Sequence, residues 1–321
     1  MDEAASPLDP DSDLDSGLDS GRDPDPAILL AGARAKLRPG LTLVATPLGA
    51  AGDVTLRTLA ALREADLLLA EDTRRLRKLM EIHGIPVGGR PVWRCDSHKE
   101  AEAAAGLLPR LAEGARAVFA SDAGTPGISD PGARLAAAVL AGGGAVSALP
   151  GPSAAILAFT LAGLTADRFF FAGFPPSRSG DRRRLLESLA AVPGALIFYE
   201  APHRLPESLA EMAAVLGPRP AAVARELTKL HEEIRRAPLD ELAAHYAEAG
   251  PPKGEIVVVV DAPPPASGPA VTEADLDAAI LAALEAGESV KDAAAALAEA
   301  LGLPRKQVYS RALELKKTRR S

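Results

Sequence analysis

The sequence contains few of the residues that characterise disulfide-rich, metal-binding or aromatic-rich proteins. Cys95 is the only cysteine among 321 residues, which rules out an internal disulfide and fits a reducing compartment. The five histidines show no spacing typical of metal ligands, so no metal is expected. Because aromatic residues make up only 3% of the chain, its cores have to be formed by Ala, Leu and Val.

No segment has the character of a membrane anchor or of a secretion signal. The longest apolar stretch, around residues 153–164, is too short to span a bilayer. The start of the chain is acidic and lacks the positive charge and apolar core of a secretory signal. We therefore expect a cytoplasmic protein that has no membrane partner.

The standard nucleotide-binding signatures are also absent. No G-x-G-x-x-G follows a strand-like run, and no G-x-x-x-x-G-K occurs. The ligand is therefore not expected to be a dinucleotide or a nucleoside triphosphate.

The charge of the chain is unevenly distributed. The net charge is −7, but residues 1–26 hold nine acids and one arginine, whereas residues 303–321 hold seven Lys/Arg and one glutamate. We predict that residues 1–38 form a disordered acidic tail, because such a composition cannot bury enough apolar surface to offset the chain entropy. A dispensable extension is favoured over a functional acidic tail.

Three Pro/Gly-rich loops each follow a strand-like apolar run and precede a helical stretch. The most specialised, SDAGTPGISDPG at 121–132, has three glycines, two prolines and two aspartates. The other two lie within 44–59 and 149–158. Open α/β sheets bind ligands at the carboxyl ends of their strands, so these loops predict a binding site there, although tight structural turns are the alternative.

The order of apolar runs predicts two α/β domains and a helical appendage. Alternating strands and helices over 39–165 favour a mostly parallel sheet, in which Ser97 and Glu100 form a capping box that opens one helix. Further strand-like runs predict a second α/β domain over 166–261. A Pro-rich linker, 262–271, leads to a basic helical module, 272–321, that resembles a helix-turn-helix around Gly302.

Eight short blocks carry a resemblance to a known family. They are TPLG (46–49), AEDTR (70–74), SDAGTPGISDPG (121–132), PGPSA (150–154), GFPP (173–176), YEAPHR (199–204), REL-K (225–229) and KGE (253–255). In this order the blocks resemble the ribosomal RNA small subunit methyltransferase I family, a branch of the tetrapyrrole (corrin/porphyrin) methylase superfamily. The match covers about residues 41–261, and it departs from the family at CDSHKE (95–100), where an HNE-like cluster is expected.

The resemblance implies a fold, a cofactor and a substrate. It implies two α/β domains of the tetrapyrrole-methylase type that form a homodimer and hold S-adenosylmethionine in the cleft between the domains. It also implies methylation of the 2′-hydroxyl of a cytidine in the decoding centre of small-subunit (16S) rRNA, with the 30S subunit as partner.

Candidate cofactor-binding residues come from the matched blocks. They are Pro47, Asp122, Gly124, Thr125, Ile128, Ser129, Ser153, Ala154, Tyr199, Glu200, Ala201 and Gly254. The candidate general bases are Glu71 and Asp72, with Glu200 and His203 behind them. Because adjacent residues after a strand point different ways, we expect one of Glu71 and Asp72 to face the cleft; an ion-pair cluster with Arg74 and Arg75 is the alternative.

Arginines in or near the same blocks are candidate RNA contacts, because guanidinium binds phosphate bidentately. They are Arg74, Arg204 and Arg225, with Arg182 and Arg183 from a basic stretch at 177–184 and Lys306 from the C-terminal module. The stretch at 177–184 is interpreted as a mobile loop at the substrate entrance, and an exposed helix start is the alternative.

Two other functions stay open at this point. One is a tetrapyrrole methyltransferase, which would share the fold and the cofactor. The other is a DNA-binding regulator that acts through the helix-turn-helix-like module.

Overall fold

The computed structural model describes residues 37–264, 272–301 and 303–318. Nearly all of the predicted acidic tail, most of the predicted linker, Gly302 and the last three residues therefore lie outside the described residues.

The first sheet has five parallel strands in the order β3-β2-β4-β1-β5. They are β1 (Gly40–Val44), β2 (Leu67–Ala70), β3 (Val92–Arg94), β4 (Arg116–Ala120) and β5 (Val146–Leu149). All four residues of β2 are buried, as expected for a parallel strand that is covered on both faces. The prediction of a mostly parallel sheet is confirmed.

Helices cover both faces of this sheet. They are α1 (Leu56–Glu64), α2 (Thr73–Ile82), α3 (Glu100–Ala112) and α4 (Ala133–Ala141). Leu68 contributes to the core beneath α1 and α2, and its neighbour Leu69 contributes to the core beneath α3 and α4. Successive strand residues face opposite sides, so a single apolar strand supplies both cores.

The second sheet also has five strands, in the order β6-β7-β10-β8-β9. They are β6 (Phe169–Gly173), β7 (Ala195–Glu200), β8 (Pro220–Arg225), β9 (Glu233–Pro238) and β10 (Ile256–Val260). Only β6 and β7 pair in parallel, and the remaining pairs are antiparallel. One face is covered by α6 (Ser179–Leu189), α7 (Leu205–Leu216) and α8 (Leu239–Ala249), and the opposite face by α5 (Ala154–Ala162).

Helix α5 links the two sheets. The sequence assigned it to the first domain, which was predicted to end at residue 165, but its buried residues Ala155, Ala158 and Ala162 belong to the core of the second sheet. The small side chains allow the helix to lie close to β7, β8 and β10. The loop that precedes α5 therefore passes from one sheet to the other.

Two local predictions are wrong. The predicted capping box does not form, because Lys99 is the N-cap of α3 and makes no side-chain capping hydrogen bond. Glu100 instead reaches the start of α4 and accepts hydrogen bonds from the backbone amides of Gly132, at 2.7 Å, and Leu135, at 3.1 Å. Arg182 does not lie on a mobile basic loop: it is fully buried in α6, where its guanidinium donates to Glu207 and Glu211.

A separate small core holds the C-terminal helices α9 (Glu273–Glu285), α10 (Val290–Leu301) and α11 (Arg305–Thr318). Thr272 and Asp275 form a reciprocal capping box at the start of α9. Arg311 pairs with Asp277 across the module at 2.6 Å. No helix in the described parts of the chain is long and apolar enough to cross a membrane.

Candidate functional site

A cavity of about 320 Å³ lies where loops from both sheets converge. We call it the central cavity. The first sheet contributes residues from the segment 123–130 after β4, and the second sheet contributes residues 199–202 at the end of β7 and 254–257 at the start of β10. Its size is within the range of small-molecule sites, and its position matches the rule that ligands bind at the carboxyl ends of parallel strands.

The loop after β4 is fixed by hydrogen bonds to its neighbours. Gly124 forms an isolated antiparallel bridge with Thr46, with both N–O distances at 2.9 Å. The Thr125 hydroxyl donates to the carbonyl of Pro152 at 2.8 Å, so the loop is joined to the one that precedes α5. Gly124 has a φ of +74°, a left-handed conformation that glycine adopts without strain. The loop is therefore held in a defined shape around the cavity.

Most of the predicted cofactor-binding residues lie together in the wall of the central cavity. They are Gly124, Thr125, Ile128, Ser129, Ser153, Ala154, Tyr199, Glu200, Ala201 and Gly254. Pro47 and Asp122 are not part of this wall. Asp122 accepts a hydrogen bond from the backbone amide of Asp72 at 2.8 Å and pairs with Arg75 at 3.5 Å, so its carboxylate ties two loops of the first sheet together.

The wall also contains residues that the sequence interpretation omitted. They are Leu48, Ala123, Asp130, Phe174, Pro202, Leu227, Ile256 and Val257. Most of them lie inside the matched blocks, and Ile256 and Val257 directly follow the block KGE (253–255), so the blocks alone do not show which of their side chains face the cavity. Phe174 packs edge-on against Tyr199, with ring centroids 5.5 Å apart.

The lining is chemically suited to S-adenosylmethionine. Leu48, Ile128, Phe174 and Leu227 offer an apolar surface to a flat base and a methyl group, and the glycine-rich loop exposes backbone groups to polar edges. Asp130 and Glu255 place carboxylates where a ligand that carries an ammonium and a sulfonium is attracted.

Glu200 is unsuited to proton transfer because its carboxylate is engaged within the protein. It is buried and accepts hydrogen bonds from the Ser208 hydroxyl and, at 2.8 Å, from the amide of Ala201. Arg204 lies 3.4 Å from it and donates to the carbonyls of Pro175 and Pro176. Glu200 and Arg204 thus hold the loop of residues 173–176 over the cavity.

A second cavity, of about 410 Å³, adjoins the central one. We call it the side cavity. Its lining residues are Glu71, Ser97, His98, Glu100, Ser129, Asp130, Pro131, Ala133 and Arg134. Ser129 and Asp130 line both cavities. The segment in which the sequence departs from the family pattern, CDSHKE, supplies Ser97, His98 and Glu100 to this wall.

Glu71 and Asp72 face different surroundings, as the sequence interpretation expected. Asp72 caps α2 by accepting from the amide of Arg74 at 2.8 Å, and its ion pair with Arg74 keeps its pKa far below the usual range. Glu71 lines the side cavity, where burial and the charge of Asp122 raise its pKa. One buried oxygen of Glu71 has no hydrogen-bond partner among the described residues. The alternative of an ion-pair cluster therefore applies to Asp72 and not to Glu71.

Asp130 is the one acidic residue among those that the sequence interpretation missed in this wall. It lies in the matched loop, but it was passed over in favour of Asp122. Burial, followed by the charges of Glu71, Asp122 and Glu255, raises its pKa to about 7. No local signal in the sequence separates these two aspartates, because their difference arises from groups that lie far apart in the chain.

The predicted RNA-contacting arginines differ in burial and in the groups they contact. Arg182 is buried and not available to a phosphate, which corrects that assignment. Arg225 donates to Glu233 and to the carbonyl of Lys253. Arg204 donates to the carbonyls of Pro175 and Pro176. Arg74 and Arg183 are exposed, each in an ion pair with an acid on its own helix or cap. Lys306 lies exposed on α11.

The fold and its cavity define the class to which the chain belongs. Residues 40–243 match the model of the Tetrapyrrole (Corrin/Porphyrin) Methylases, and residues 270–316 match the RsmI C-terminal HTH domain. Within that class, the chain belongs to the ribosomal RNA small subunit methyltransferase I family. S-adenosylmethionine is the cofactor of these enzymes, which confirms that prediction.

Curated relatives support the narrower assignment. The chain is 46% identical to Ribosomal RNA small subunit methyltransferase I of Mesorhizobium japonicum, over 88% of this chain and 94% of that protein. It is 49% identical to the protein of the same name from Erythrobacter litoralis, over 87% of this chain and 96% of that protein. It is 42% identical to the protein of the same name from Escherichia coli O157:H7, over 85% of this chain and 94% of that protein.

Solved structures with low sequence identity support the fold. A diphthine synthase superposes with a TM-score of 0.53 at 18% identity, over 69% of this chain and 89% of that chain. The methyltransferase CobJ superposes with a TM-score of 0.53 at 22% identity, over 72% of this chain and 97% of that chain. Both comparisons support the arrangement of two α/β sheets.

Proposed function

We propose that this protein transfers the methyl group of S-adenosylmethionine to the 2′-hydroxyl of a cytidine in the decoding centre of small-subunit rRNA. In this proposal the central cavity holds the cofactor and the side cavity receives the acceptor ribose. The cofactor supplies an activated methyl group. The chain's own residues orient the two reactants, exclude water and remove the hydroxyl proton.

The observation that carries the proposal is that Ser129 and Asp130 line both the central and the side cavity. A hydroxyl group loses its proton during methylation, so the acceptor side needs a proton acceptor. Glu71 and Asp130 provide carboxylates there. The exposed guanidinium of Arg134, on the same wall, is suited to a neighbouring phosphate.

The same wall argues against a tetrapyrrole substrate. A macrocycle that carries several carboxylates would be repelled by Glu71 and Asp130, and by the charges of Asp122 and Glu255 nearby. A role as a DNA-binding regulator would leave both cavities without a use. The names of the curated relatives favour rRNA over both alternatives.

The decisive experiment measures transfer of a labelled methyl group to three substrates: 30S subunits, a uroporphyrinogen and duplex DNA. We expect transfer to 30S subunits alone. Nuclease digestion and mass spectrometry should then identify 2′-O-methylcytidine as the product. Methylation of a base atom, or of the macrocycle, would contradict the proposal.

The C-terminal module is proposed to bind the RNA backbone. Arg305, Lys306, Lys316 and Lys317 are exposed on α11, whereas Arg311 is engaged by Asp277 and Glu314. The basic tail residues Arg319 and Arg320 lie outside the described part of the chain. The exposed cations suit phosphate contacts that carry no sequence information by themselves.

We expect replacement of these four exposed cations by glutamine to weaken RNA binding and to leave cofactor affinity unchanged. Each lost phosphate contact should reduce the slope of log affinity against log salt by about 0.7–0.9. Lys291→Gln, on α10 of the same module, is the matched control and should leave the slope as it is in the unchanged protein. An unchanged slope in the fourfold variant would mean that the module is structural.

The predicted homodimer is retained as part of this proposal. Light scattering of the purified protein would test it, and a monomer at micromolar concentration would contradict it.

A further inference from the structure

A cavity of about 540 Å³ lies beside the loop that joins β8 to β9. We call it the third cavity. Its wall includes residues 48–50 from the loop after β1, residues 228–230 from the loop after β8, and Arg75 from the first turn of α2. Leu48 also lines the central cavity. The proposed function assigns neither the cofactor nor the acceptor ribose to this cavity, so it is open to another part of the substrate.

One short segment of the first domain connects the third cavity with the side cavity. Glu71 lines the side cavity, and Arg75, four residues later, lines the third cavity. Four residues of chain span at most about 14 Å. An RNA strand whose ribose occupies the side cavity can therefore place a nearby nucleotide in the third cavity.

The loop of residues 226–232, between β8 and β9, is held in a defined shape. Glu226 and Thr228 have φ values of +51° and +62°, left-handed conformations that cost free energy in residues other than glycine. The ammonium group of Lys229 donates to Glu226 at 2.9 Å and to Glu255 at 3.1 Å. Local strain of this kind, fixed by surrounding contacts, clusters at functional sites.

Leu230 lies at the tip of this loop, with its side chain in solvent. The amide of Glu232 donates to the carbonyl of Lys229 at 3.1 Å, which closes a tight turn with Leu230 and His231 at its centre. Leu230 is 93% exposed, whereas Leu140, the next most exposed large apolar residue in the described parts of the chain, is 59% exposed. Single exposed apolar residues are common, but Leu230 is fixed by a strained loop and lines a cavity.

The third cavity offers both kinds of contact that a nucleotide needs. Leu48 and Leu230 present apolar surface to the face of a base, and proteins use leucine in this way to hold bases out of the stack. Arg75 approaches Asp122 through Nε, at 3.5 Å, and 63% of its side chain is exposed, so its terminal N–H groups are open to a phosphate. Lys229 compensates the charge of Glu255 in the same wall.

From these observations we propose that Leu230 is a positioning residue for the RNA. It packs against the base of a nucleotide close to the acceptor cytidine, in the third cavity, while Arg75 contacts the adjoining phosphate. This inference rests on the proposed function. Because the base is held out of the stack, the strand stays extended between the two cavities and the acceptor ribose reaches the side cavity. Leu230 touches neither the cofactor nor the reacting atoms.

Steady-state kinetics with unmethylated 30S subunits test the contact. Leu230→Ala should raise KM for the subunits by about tenfold, because an apolar side chain that the RNA covers is lost. Its kcat should stay within about twofold, as expected for a contact made equally before and during the transfer. Leu230→Phe should restore the KM, since a ring stacks on a base. Leu140→Ala, which removes another exposed leucine on α4, is the matched control and should behave as the unchanged protein.

Two further measurements on Leu230→Ala separate this role from a role in folding or in cofactor binding. Its Tm should equal that of the unchanged protein, because a side chain that is 93% exposed has almost no packing to lose. Its affinity for S-adenosylhomocysteine, measured by calorimetry, should stay within about twofold.

Cross-linking locates the contact on the RNA. The photoreactive amino acid p-benzoylphenylalanine, incorporated in place of Leu230, should cross-link to 16S rRNA when the protein is irradiated with 30S subunits. Reverse transcription should place the cross-link within about three nucleotides of the methylated cytidine, because the two cavities are separated by a chain of only four residues. The same amino acid in place of Leu140 should give no cross-link in that region.

Each result has a distinct meaning. If Leu230→Ala keeps its KM, or if the cross-link falls on a distant nucleotide, on a ribosomal protein or on nothing, the role of Leu230 is wrong and the proposed function stands. If the variant loses affinity for S-adenosylhomocysteine, the third cavity belongs to the cofactor site and the inference is again wrong. If the unchanged protein methylates no RNA, the proposed function fails, and the role of Leu230 fails with it.

Discussion

Replacing Gly124 with valine is expected to weaken binding of S-adenosylmethionine by at least about 100-fold, which corresponds to about 2.7 kcal/mol. Gly124 has a φ of +74°, and a Cβ atom there would lie 3.1 Å from Leu48 Cδ2 and 3.6 Å from the carbonyl oxygen of Pro152. A branched side chain is strained in this conformation. It would either enter the central cavity or displace Leu48 from its wall.

Calorimetry with S-adenosylhomocysteine measures this effect directly. Gly89→Val is the matched control, because Gly89 does not have a positive φ and a Cβ atom there would have no neighbour within 4 Å. Gly124→Ala should give an intermediate loss, since it adds the strain and the contact with Leu48 but no branch. Full affinity in the Gly124→Val variant would show that the cofactor lies elsewhere.

The second large effect is expected at Glu100. Glu100→Ala would leave the buried amides of Gly132 and Leu135 without their acceptor, at a cost of about 2–4 kcal/mol in the free energy of unfolding. Turnover should fall further than stability alone explains, because the turn that carries Asp130 loses its anchor. Glu100→Gln keeps an oxygen acceptor and should cost about 1 kcal/mol.

Urea denaturation at 25 °C, together with an activity assay well below the Tm, separates the two effects. Glu102→Ala is the matched control, because Glu102 is exposed in the first turn of the same helix. It should change the free energy of unfolding by less than about 0.5 kcal/mol. Equal stability of Glu100→Ala and Glu102→Ala would show that the hydrogen bonds of Glu100 contribute nothing net.

Much of the site could be predicted from the sequence because its main elements are local. Glycines and prolines at the ends of apolar runs mark the loops, and parallel strands bring their carboxyl ends to one edge. Ten of the predicted cofactor residues therefore lie in one cavity wall. The two exceptions, Pro47 and Asp122, lie within the same loops but are not part of the cavity wall. A loop can be placed from its composition, but the direction of each side chain depends on the turns within it.

The assignment of Arg182 as an RNA contact failed for a different reason. A run of three arginines at 182–184 reads as a basic surface when only neighbours in the chain are considered. Arg182 is buried because Glu207 and Glu211, on the helix that packs against α6, supply compensating charge. A buried charge requires a partner, and a partner that lies on another helix cannot be identified from local pattern.

The sequence by itself determined the order of strands and helices, the three loops that converge on the central cavity, the helical C-terminal module and the family. These features follow from hydrophobic periodicity, from turn residues and from motifs, all of which act over short stretches of chain. The tertiary structure alone decided which carboxylates line the two cavities. Glu71, Glu100, Asp130 and Glu255 come from four separate segments, and the raised pKa of Asp130 and the anchoring of its turn exist only once folding has brought those charges and amides together.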